Sequence, residues 1–282
     1  MLAPFVIMLR EGIEAALIVS IIATYLLKSG QQKWLPAVFV GVFFAVALSL
    51  FAGAAILMLN AQFPQKAQEL FEALVGLLAV ALLVSMVFWM KQAARTMSHQ
   101  LKTSVDQALT LPGGPLFALI ALSFFAVARE GLESIFFLLA IFQQSPGPAA
   151  PLSALAGLIF AVLLGVAFYQ GGLRINLVRF FRWTGVFIIL VAAGLLSSSI
   201  RNLHEAGVWN FAQQTVLDLS NILPTSSLLG SILAGLFNYT DVVTAGEAAF
   251  YVIFLLGALY FFLRPTQGGH RTPLPPLKKK AS

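Results

Sequence analysis

The sequence has no cysteine. That excludes disulfides and thiolate metal sites, and with them thiolate-based transport of soft ions such as Cu(I); thioether sites stay open. Charge is scarce as well. Asp, Glu, Lys and Arg make up 10% of the residues, against roughly 25% in an ordinary soluble domain. No polar block is large enough to fold apart from the rest, so one membrane domain is expected. No short basic segment precedes the first apolar run, and charges interrupt that run, so it does not read as a cleavable signal peptide.

What fills the chain instead is apolar sequence, 59% of it. About 20 apolar residues at 1.5 Å each match a hydrocarbon core of about 30 Å. Seven stretches qualify as spans: 2–27, 35–59, 70–90, 115–142, 152–172, 181–200 and 246–263. The expected fold class is therefore an all-α polytopic membrane protein with seven transmembrane helices, occupying 1–264. Of the 17 basic residues, all but Lys66, Arg201, Arg10 and Arg129 fall in one set of loops or in the tail. The positive-inside rule then puts the N-terminus outside and the C-terminus in the cytoplasm. The tail at 265–282 carries Lys278, Lys279 and Lys280 after Pro273, Pro275 and Pro276. It reads as disordered and basic, held near anionic lipid, and the net charge of +6 does not indicate nucleic-acid binding. In the long outer loop at 201–245, Trp209, Val216, Leu219 and Leu223 recur at helical spacing up to Pro224. Ser226 to Phe237 is a second apolar piece, too short to span. Both are expected to be short interfacial or re-entrant helices.

The charges that remain are concentrated. R-E-G-I-E runs from Arg10 to Glu14 and R-E-G-L-E from Arg129 to Glu133, each inside a span. A charge at the bilayer centre costs roughly 2.5–3.5 kcal/mol on insertion scales. On a helix, Arg10, Glu11 and Glu14 share one side, as do Arg129, Glu130 and Glu133. Paired salt bridges that merely lock two helices would need one acid per base, yet each copy carries two. Fully ionised, the four carboxylates and two guanidiniums sum to a negative charge that a cation would offset. Oxygen ligands suit hard cations, and carboxylates facing each other across helices hold iron in bundle proteins. Each arginine can hold one carboxylate and leave the other for a metal. Gly12 and Gly131 leave room for a neighbouring helix or an ion to come close. By the loop charges the two motif helices run in opposite directions, so spans 1–3 and 4–6 read as two inverted three-helix repeats, with the seventh span added.

Further acids lie toward the outer side. Glu69 and Glu72 form a second i,i+3 pair, which is either a relay for a cation or a pair of N-terminal acids meeting the helix dipole. His204 and Glu205 end span 6, either as a ligand pair or with the histidine capping carbonyls. No zinc-protease motif forms there, because Val208 stands where a second histidine is required. Met86, Trp89 and Met90 read as packing and interface anchoring.

Taken together, the P-F-V-I-M-L-R-E-G-I-E-A-A-L-I-V-S run, F-P-Q-K-A-Q-E-L-F-E at 63–72, A-V-A-R-E-G-L-E-S-I-F-F-L-L-A at 126–140 and H-E-A-G-V-W at 204–209 resemble the high-affinity iron permease family, the oxidase-dependent iron transporters. The likeness is to the bacterial EfeU-like branch and covers nearly the whole chain. It implies an inner-membrane iron importer, not an enzyme, in which Glu11, Glu14, Glu130 and Glu133 carry iron, with Arg10 and Arg129 completing the motif. Iron, as Fe(II) or Fe(III), would be the transported substrate, with no organic cofactor. The resemblance also implies periplasmic partners, one iron-binding and one haem-peroxidase-like. Alternatives are a transporter of another hard divalent cation such as manganese, an intramembrane metal-dependent hydrolase, or a structural or sensor subunit.

Overall fold

The computed structural model describes residues 2–60, 64–93, 96–111, 114–144, 148–170, 177–227, 229–230, 233–234 and 239–264. The expected basic tail lies outside these, as does much of the apolar piece at 226–237. Among the described residues the chain forms α1 (Leu2–Lys28), a 3-10 turn (Gln32–Trp34), α2 (Leu35–Asn60), α3 (Gln65–Ala93), α4 (Met97–Thr110), α5 (Pro115–Gln144), α6 (Ala149–Tyr169), α7 (Leu177–Glu205), strands β1 (Thr215–Asp218) and β2 (Val242–Thr244), and α8 (Ala245–Leu263). Long Ala, Leu, Val and Phe runs favour helix, and the prolines do not interrupt it. Pro4, Pro36, Pro115 and Pro151 all fall in first turns, where the missing N–H has no intrahelical partner in any case.

Six helices, α2, α3 and α5 to α8, are long and apolar enough to cross a bilayer. α1 has 27 residues, ample length, but Arg10, Glu11 and Glu14 break its apolar run. The chain is an all-α polytopic membrane protein, with a small two-stranded ribbon among the described residues. α1 packs along α6, α2 along α5, α3 along α7, and α7 along α8. The first two pairs are parallel: Gly157 lies against Phe5 and Leu9 while Gly165 lies against Ala16, and Gly41 lies against Ile120 while Gly53 lies against Ile135. α3 and α7 are antiparallel, since Gly76 meets Leu195 and Ser199 and Glu72 meets Asn202. The main core gathers Ile7, Leu83, Met86, Phe137, Ile188 and Leu195. Phe43, Phe51, Leu163 and Ile253 point outward from α2, α6 and α8, as a lipid-facing surface requires.

Two elements depart from the sequence reading. Thr215–Asp218 is a strand, not the expected interfacial helix, and pairs antiparallel with Val242–Thr244. The β-branched Thr215, Val216, Val242, Val243 and Thr244 favour extended backbone and outweigh the apparent helical spacing. The connection between α3 and α5 contains the amphipathic helix α4, whose buried Val105 and Ala108 join Ile22 and Leu119 in a second core. Tyr25 on α1 donates to Asp106 on α4 at 2.6 Å, which ties the two helices together.

Candidate metal centre

The two motif helices meet in the interior. Their backs are pressed inward by neighbours: Gly12 lies so close to α6 that a Cβ there would stand 2.5 Å from Ala161 Cβ, and Gly131 lies equally tight against Ser49 on α2. It is a helix, not an ion, that uses the space these glycines leave. Because positions 10 and 14 lie across the helix from position 12, this packing turns Arg10 and Glu14 of the first motif toward the centre of the molecule.

There Glu11, Glu14 and Glu130 each bring one carboxylate oxygen to within 4.8 Å of the other two. All three are buried, as is Arg10 at 1% exposure. Oxygens arranged around a hard cation at about 2.0–2.6 Å lie roughly 3–5 Å apart, so the spacing suits one ion shared between α1 and α5. Both Glu11 oxygens and Glu14 Oε1 are buried without a hydrogen-bond partner. An orphaned buried carboxylate is costly, and a bound cation removes that cost. Arg10 Nε stands 3.2 Å from Glu14 Oε1. The pair is close in charge terms, but the N–H is off-line and makes no hydrogen bond. Arg10 Nη1 instead donates to Met86 Sδ on α3 at 3.1 Å.

The second copy is set differently. Arg129 Nε donates to Glu133 Oε1 at 3.0 Å, with Arg129 49% and Glu133 15% exposed. The guanidinium lies over the Trp89 ring, 4.6 Å from its centroid. Among the described residues, Glu133 is outside the three-oxygen group, although it stays within electrostatic reach of Glu14. Thus three of the four expected motif ligands converge and one is held by its own arginine.

The outer candidates do not join this group. Gln65 donates to Glu69 and Gln68 to Glu72, each at 3.1 Å, while Asn202 approaches Glu72 at 3.5 Å. α3 begins at Gln65, so neither acid is in the first turn, and the helix-dipole account gives way to these amide contacts. His204 Nδ1 lies 2.9 Å from the Trp209 carbonyl, a loop carbonyl beyond the end of α7 and not one of that helix's last carbonyls, and Glu205 is exposed. One feature escaped the sequence reading. Arg201 makes a two-toothed contact to buried Glu247, at 3.0 and 2.6 Å, and reaches Thr240 at 2.9 Å. Only the paucity of outer cations hinted that Arg201 must be shared.

The chain matches the Iron permease FTR1 family over residues 1–260. It is 49% identical over 265 residues to the ferrous iron permease EfeU of Yersinia pestis, covering 94% of each chain. With the ferrous iron permease EfeU of Escherichia coli O157:H7 it shares 48% identity over 269 residues, 95% of this chain and 98% of that one. No solved structure matches it. A match over residues 1–260, with both glutamate motifs inside it, makes this chain a member of the Iron permease FTR1 family.

Proposed function

We infer that the chain imports iron across a bacterial inner membrane, from the outer face to the cytoplasm, and that Glu11, Glu14 and Glu130 hold the ion midway. The observation that carries this is the buried meeting of three carboxylates from two helices, with unpartnered oxygens on Glu11 and Glu14. The iron assignment is supported by relatives named as ferrous iron permeases; ferrous iron is accordingly the form to test first. Glu133, held by Arg129 and outside the three-oxygen group among the described residues, serves the site as an auxiliary fourth carboxylate. Glu69, Glu72, His204 and Glu205 form the outer approach.

The direction rests on the basic loops. The membrane domain spans 1–264 with α1 as a seventh crossing helix, N-terminus outside, and the basic tail at 265–282 lies in the cytoplasm. Two inverted repeats, α1–α3 and α5–α7, are supported by their exchanged packing: α1 on α6 and α5 on α2 are the same contact with the halves swapped. The third residue of each motif is a point of close approach in both. Periplasmic iron-binding and haem-peroxidase-like partners belong to the same reading.

The test is ferrous iron uptake by the purified chain in liposomes. Glu14→Gln is expected to lower uptake at least about tenfold, since even partners behind a metal ligand cost 10–100-fold when lost, with membrane insertion unchanged. Full uptake by a well-inserted Glu14→Gln protein rejects the site. Stronger competition by manganese than by iron would replace iron as substrate, and the absence of any flux from the chain alone would favour a structural or sensor role.

A further inference from the structure

A stripe on α1 continues away from the carboxylates. Glu14, Leu17, Ile21, Thr24 and Lys28 recur at three- and four-residue steps, so they share one side of the helix. Two cavities follow that stripe. The smaller, about 70 Å³, is lined by Glu14 at one end and by Leu17, Ile21 and Ser98 at the other. The larger, about 500 Å³, is lined again by Leu17, Ile21 and Ser98, then by Thr24, and opens beside Lys28 and Lys102. Shared walls make the two cavities one interrupted passage. It leads from a carboxylate of the three-oxygen group to the chain surface, between α1 and the N-terminal turns of α4.

We propose that this passage is the release route for the transported cation and that α4 forms its movable wall. The proposal rests on the iron-site reading and adds the route and the element that controls it. Three features fit a closed but openable gate. The smaller cavity has room for only a few water molecules, at roughly 10–15 Å³ each, which is too little for an ion with its full hydration shell. Its remaining walls are Met90, Met97 and Phe181, and methionine, unbranched with three rotatable bonds, shifts aside at low cost. Beyond the narrow part the lining keeps Ser98 and gains the hydroxyls of Ser20 and Thr24, oxygens suited to a hard cation that is regaining water. Lys28 and Lys102 at the mouth disfavour a cation lingering there, so a released ion passes on to the solvent. The Tyr25–Asp106 hydrogen bond fastens α4 across the opening.

The absence of native cysteine makes the test direct. Thr24→Cys and Ser98→Cys are each introduced singly into the full chain in liposomes. A membrane-impermeant methanethiosulfonate is applied from the Lys28 side during ferrous iron uptake. Both thiols are expected to react, iron to slow the reaction at Ser98→Cys, and modification to lower uptake about tenfold, as for a blocked gating step. Ser153→Cys, at the opposite end of α6, serves as the control and is expected to transport normally after treatment. Thr24→Cys keeps the test usable if Ser98→Cys does not accumulate. Unreactive thiols at both positions, or complete modification with uptake unchanged, overturns the route. Glu14→Gln measured alongside separates the two claims. If it is inactive while modified Ser98→Cys transports normally, only the route fails; if it transports normally, the site itself fails.

Discussion

The two copies of the arginine–glutamate motif share four of five residues and the same i,i+4 ion pair, yet they sit in different surroundings. Arg10 and Glu14 are sealed at 1% exposure each, while Arg129 and Glu133 stand at 49% and 15%. The difference comes from α3. Its Met86 covers Arg10 and accepts its hydrogen bond. Against Arg129 it offers only the face of Trp89, beside an apolar hollow of about 410 Å³ lined by Leu48, Leu82 and Phe125. One motif therefore contributes two carboxylates to the three-oxygen group and the other contributes one. Equal sequence does not give equal burial, because burial belongs to whatever packs on top.

The largest expected effect tests that inequality directly. Glu11→Gln, Glu14→Gln and Glu130→Gln should each lower iron uptake at least about tenfold, and Glu133→Gln should cost only a few-fold. Four equal losses would put the copies on the same footing and break the comparison. Next come the arginines. Arg10→Ala leaves buried Glu14 without its cation and should cost about 3–5 kcal/mol of stability. Arg129→Ala should cost about 1–2 kcal/mol, the sum of a partly exposed ion pair and a ring contact. Thermal unfolding in detergent reads both, and equal shifts would contradict the unequal burial. Smaller again is overpacking behind the motifs. Gly12→Ala should destabilise by about 1–3 kcal/mol, and Ala161→Gly in the same chain should restore most of it; failure of that rescue would mean α6 is not what presses on Gly12. Smallest is Trp89→Leu, expected to cost about 0.5–1 kcal/mol through lost cation–π contact. No change on unfolding would show that Arg129 does not depend on that ring.

Much of the fold was legible because bilayer thickness constrains helix length so strongly. Helices at 35–60 and 115–144 follow from apolar runs at 35–59 and 115–142. α3 and α7 extend past their expected ends because Gln65–Glu69 and Arg201–Glu205 are helical beyond the apolar window. α4 was missed since a 14-residue helix with a mixed polar surface has no span signal; the repeat of Leu101, Val105 and Ala108 was its trace. The ribbon was missed because four or five residues satisfy two periods at once, and β-branching was the better guide. At the site, the convergence of Glu11, Glu14 and Glu130 could be expected from the motifs. The withdrawal of Glu133 from them could not, nor could the Arg201–Glu247 contact across 46 positions.

By itself the sequence determined that this chain lives in a membrane and that two of its helices each carry a pair of acids beside an arginine, since composition and local spacing settle those matters. The tertiary structure alone decided which acids meet, which arginine is sealed, and that α4 closes over the stripe leading from Glu14. Those outcomes depend on how close two helices come and what a third lays across them, and such distances are set by side chains far apart in the chain.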